Sequence, residues 1–61
     1  MTEKEDRLLS RELAETGRAL AAARAGFDET ADADLMEYYL YETQALQARY
    51  AYLLRQRKAR G

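Results

Sequence analysis

Two runs of residues in this 61-residue chain step alternately by four and three positions, and they restrict its fold more than any other feature. The first run is Leu9, Leu13, Thr16, Leu20, Ala23 and Phe27. The second is Met36, Tyr39, Thr43, Leu46, Tyr50 and Leu53. A step of three or four returns a helix to nearly the same side, so each run is one stripe along one helix. Repetition every seven residues is the seam of a coiled-coil-like pair. The expected fold is all-α: a single antiparallel two-helix hairpin. Helix one is expected at about residues 3–25, a loop at 26–32 and helix two at about 33–58.

Local signals agree with these limits. Thr2 is placed to cap helix one, with Glu3, Glu5 and Asp6 at the positive end of its dipole and Arg18 and Arg24 toward the other end. Gly17 lies inside the helix, where Gly costs about 0.8–1 kcal/mol relative to Ala, and close approach of a second helix would compensate. Gly26 is expected to end the helix in a left-handed conformation. Phe27 is expected to plug the closed end against Leu35 or Met36. Asp32 is the expected cap of helix two, with Asp34 and Glu37 in its first turn.

Folding one run onto the other predicts a register. Ala23 meets Met36, Leu20 meets Tyr39, Thr16 meets Thr43, Leu13 meets Leu46 and Leu9 meets Tyr50. The two polar seam positions then face each other, and a slipped register would set a hydroxyl against Leu.

Helix two carries a second stripe: Tyr38, Tyr41, Ala45, Ala48 and Tyr52. It lies nearly opposite the first, while Leu40 and Leu54 widen the first on one side. A helix that is apolar on both sides is normally covered on both sides. One side takes helix one. The Tyr-lined side is a candidate interface, because Tyr buries area while its hydroxyl stays wet. The alternative is a solvated face.

A chain this short makes a thin core and usually needs a disulfide, a metal or a partner. It contains no Cys and no His, which removes disulfides and the common zinc and iron sites. A partner chain is what is left. A second copy is the simplest choice, giving a homodimeric four-helix bundle.

Charge is segregated. Asp28 to Glu42 contains six acidic residues and no basic one, whereas Arg49 to Arg60 contains five basic residues and no acidic one. Dipole complementation at the two ends of helix two accounts for this pattern. A functional alternative is anion contact, with Arg49, Arg55, Arg57, Lys58 and Arg60 meeting phosphates of nucleic acid or anionic lipid. The net charge of −1 and the shortness of the cluster weigh against that alternative. In an antiparallel self-pairing, the basic end of one copy would neutralise the acidic start of the other.

Catalytic chemistry is scarce. The single Ser, Ser10, has no His or Cys beside it. The three Gly residues are isolated and make no phosphate loop. A calcium loop starting at Asp28 would set Thr30 and Asp32 at ligand positions. The required Gly then falls on Ala33 and the closing Glu on Tyr39, so the loop fails. No cofactor, metal or small-molecule substrate is expected, nor an enzyme. No apolar stretch approaches the roughly 20 residues of a membrane span. The polar, acidic start is unlike a secretory signal, and the expected location is cytoplasmic.

The segment from Phe27-Asp28 through Asp32-Ala33-Asp34-Leu35 to Tyr41, with its continuation Arg49-Tyr50-Ala51-Tyr52-Leu53-Leu54, resembles the YaaL-like family of small Firmicute proteins. In that family a Phe-Asp loop leads to an Asp-rich helix start, an apolar helix with a Tyr, and Arg-Tyr-x-Tyr-Leu-Leu. Asp32, Asp34, Leu35, Tyr41, Arg49, Tyr50, Tyr52, Leu53 and Leu54 fall on this pattern. The family often has Pro at the first helical position, where this chain has Ala33. The resemblance covers about half the chain and implies a small bacterial cytoplasmic protein with no catalytic or cofactor residues.

The expected function is therefore protein–protein interaction or scaffolding, with self-association through helix two. The alternatives are a nucleic-acid-binding accessory protein using the basic end, and a subunit that orders on a larger protein.

Overall fold

A computed structural model describes residues 2–60. Two helices, α1 (Glu3–Glu29) and α2 (Ala33–Arg60), pack against each other as an antiparallel hairpin. There is no strand among the described residues. The molecule is a rod measuring 46 × 14 × 11 Å.

The ends of the helices are set by side chains. Thr2 Oγ1 accepts from the Glu5 backbone N–H at 3.1 Å, and Glu3, Glu5 and Asp6 occupy the first turn. Asp32 Oδ1 accepts from the Leu35 backbone N–H at 3.0 Å. Both bonds satisfy donors that a helix start otherwise leaves open. Basic residues Arg57, Lys58 and Arg60 fill the last turn of α2, where its dipole favours them.

The chain reverses later than expected and without Gly. Helix α1 continues through Gly26 to Glu29, and no Gly among the described residues has a positive φ. Thr30 ends the helix in an extended conformation, with its N–H donating to the Gly26 carbonyl. Its hydroxyl then accepts from the Asp32 N–H at 3.1 Å. Thr30 and Asp32 therefore make the turn through side-chain bonds of the kind Ser, Thr, Asn and Asp offer.

Gly26 serves packing instead. A Cβ built there would collide with three carbons of the Tyr39 ring. Tyr39 therefore sits over Gly26, nearly two turns along α1 from the predicted partner, Leu20. At the other end Tyr50 packs on the cluster of Leu9, Leu13 and Leu53 and approaches Gly17. The predicted register is thus displaced near the loop, where α1 runs on for another turn before the chain turns back, whereas at the open end Tyr50 packs on the cluster that holds its predicted partner, Leu9.

The apolar core is concentrated near the open end, in that three-leucine cluster. Thr16 and Ala23 are also buried. The heptad column Leu9–Thr16–Ala23 stays buried along α1. The column Leu13–Leu20–Phe27 runs from buried through half-buried to 39% exposed. Along α1 the buried side therefore turns from Leu13 toward Ala23 and Gly26 as it approaches the loop. Phe27 accordingly does not plug the closed end, and Met36 is also more than a third exposed.

Candidate interaction surfaces

Pairing the helices creates two broad faces, each built from both elements. Residues of the Tyr stripe lie along the first. Tyr52 borders a groove with Leu8 and Glu12 of α1. Arg49 and Leu46 border the next turn with Glu12, Glu15, Thr16 and Ala19. Arg49 Nη2 reaches Glu12 Oε2 at 3.4 Å, an ion pair in which both side chains are about half exposed. A charged pair therefore stands in the middle of this face.

The stripe occupies an arc of about 80° on α2. All five are exposed, with Tyr38 at 54%, Tyr41 at 62% and Tyr52 at 49%. At about 100° per residue, Tyr38, Ala45 and Tyr52 share the edge nearest the Glu12–Arg49 pair. Tyr41 and Ala48 turn farther from α1. The Tyr38 hydroxyl donates to Glu42 Oε2 at 3.1 Å, and its ring meets Tyr39 edge-on, with centroids 5.1 Å apart. The bond to the Glu42 carboxylate, followed by its negative charge, raises the Tyr38 pKa above the usual phenol value, because ionisation would set two anions together.

The opposite face was not apparent in the sequence as a unit. Phe27 and Leu40 line one groove with Arg24, Asp28 and Thr43. Arg57 and Arg60 line another, nearer the open end, with Asp6, Leu9 and Ser10. Helical spacing connects the two: Ser10, Ala14, Gly17, Ala21 and Arg24 make one stripe on α1, and Leu40, Gln47 and Leu54 another on α2. Leu40 is 47% exposed and Leu54 37%.

The five basic residues are spread over the last three turns of α2. Arg49 is held by Glu12. Arg55, Arg57, Lys58 and Arg60 are all exposed on a continuous helix, where Arg55 and Arg57 point about 160–200° apart. Arg57 and Arg60 also lie beside Asp6. Arg57 and Arg60 lie on one side of the helix end, and Arg55 and Lys58 on another.

No group of three or more potential metal ligands occurs among the described residues, and no helix there is long and apolar enough to cross a membrane. Residues 1–61 match a family model described as protein of unknown function (DUF2508). No curated protein matches the chain. No solved structure matches it.

Proposed function

We propose that this chain, which belongs to the DUF2508 family, is a non-catalytic interaction protein that associates with itself through α2 to complete a four-helix bundle. One observation carries the reading. The lone hairpin buries Leu9, Leu13, Ala23 and Leu53, while α2 leaves Leu40, Leu54 and three Tyr rings substantially exposed on both sides of its seam. Exposed apolar area of that kind on so small a domain is characteristic of an interaction surface. The resemblance to YaaL-like Firmicute proteins supports a bacterial, cytoplasmic setting.

Sedimentation equilibrium across a concentration series tests this, with circular dichroism on the same samples. A helical dimer is the expected result. A fully helical monomer at every concentration would overturn the reading. A chain that is poorly helical alone and gains helix on a larger partner would assign it to a hetero-complex instead.

A further inference from the structure

We infer that two copies of the chain pair head to tail through the face carrying Phe27, Leu40 and Leu54. The inference rests on the self-association proposed above and specifies its surface and direction. The face is uncharged over its middle turns. On α1 it presents Ser10, Ala14, Gly17 and Ala21, whose short side chains let another helix come close. On α2 it presents Leu40, Gln47 and Leu54, with Phe27 at the loop end. Covering it requires no carboxylate or guanidinium to leave water in its centre.

The other broad face fits a second hairpin poorly. Its centre holds Glu12 and Arg49, and burying a charged pair costs desolvation that its attraction often fails to return.

Charge fixes the direction. The half of the rod near the loop, residues 17–45, carries six carboxylates against two cations, Arg18 and Arg24. The half near the open end carries eight cations against five carboxylates. Side-by-side pairing with the loops together would set like charge against like over the 46 Å length. Head-to-tail pairing about a two-fold axis sets each acidic half beside the partner's basic half, with the same patch used by both copies.

The test compares two sets of variants by sedimentation equilibrium, each checked for helicity. Leu40→Glu and Leu54→Glu alter exposed positions and are expected to weaken the dimer at least about tenfold. Tyr41→Ala and Tyr52→Ala are expected to change it by less than about threefold. The reverse ranking overturns the inferred face but leaves self-association standing. A monomeric wild type overturns both.

A second measurement needs no change to the face. Spin labels on Ala31→Cys of both copies are expected to lie far apart, near the 46 Å length of the rod. Labels on Ala31→Cys of one copy and Ala59→Cys of the other are expected to lie close together. A short Ala31–Ala31 separation overturns the head-to-tail arrangement.

Discussion

The ring of Tyr39 occupies the space that a Cβ on Gly26 would need. This contact sets the spacing of the helices near the loop and makes the two central glycines unequal. Gly26→Ala gains about 0.8–1 kcal/mol of helix propensity. It meets overpacking that typically costs about 1–3 kcal/mol. The expected result is a net loss of stability. At Gly17 the added methyl would lie 3.6 Å from the Tyr50 ring, an ordinary contact, so Gly17→Ala is expected to stabilise. Thermal melts should move in opposite directions. In a Tyr39→Ala background, Gly26→Ala should become stabilising.

The core near the open end predicts a steep contrast between neighbouring leucines. Leu53 is 2% exposed and joins Leu9 and Leu13, whereas Leu8 is 46% exposed. Leu53→Ala is expected to cost about 2–5 kcal/mol, enough to unfold much of a small hairpin. Leu8→Ala is expected to stay within about 0.5 kcal/mol in the monomer. Urea denaturation followed by helicity checks both values.

The turn depends on side-chain oxygens. Asp32→Ala removes the acceptor for the Leu35 N–H and should cost about 1 kcal/mol. Asp32→Asn keeps an acceptor and should retain most of that stability. Thr30→Val preserves shape but loses the bond to the Asp32 N–H, and should destabilise by about 0.5–1.5 kcal/mol. The same melts report all three.

Tyr38 should be among the last phenols to ionise as pH rises. Its hydroxyl donates to Glu42, and the carboxylate charge opposes formation of a phenolate. The folded-state pKa is raised, so this contribution to stability is fully present below the unfolded phenol pKa. It is lost as pH climbs through the raised folded value. Ultraviolet titration of the tyrosinate band should lose a late component in Tyr38→Phe. In Glu42→Gln the same component should move to lower pH.

The helices and their starts were legible in the sequence for simple reasons. Four–three spacing reports a helical stripe directly. Thr2 and Asp32 carry the short acceptors that open a helix. The register near the loop was not legible, because its reading depended on where α1 stops, whereas the meeting of Tyr50 with the Leu9 cluster was. Gly26 was read for backbone freedom, whereas the fold uses its missing side chain. That use depends on Tyr39, from another helix, so no local pattern signals it. The Glu12–Arg49 pair was hidden for the same reason, since it joins residues far apart in sequence. The Tyr stripe was legible because it lies on one helix, but the face through Ala14, Gly17, Leu40 and Leu54 exists only once two helices lie together.

The three-leucine cluster lies at the end of the rod farthest from Thr30–Asp32. The hairpin is therefore joined by covalent chain at one tip and gripped most firmly by side chains toward the other. The covalent fastening cannot let go, so the leucines act as a clasp and the turn as its hinge. Every contact between the helices lies along two arms joined at that hinge, and the leucines hold them far from it, where they have the longest leverage. Loosening the clasp is therefore expected to open the rod from its free tip, with each helix losing the packing that sustains it.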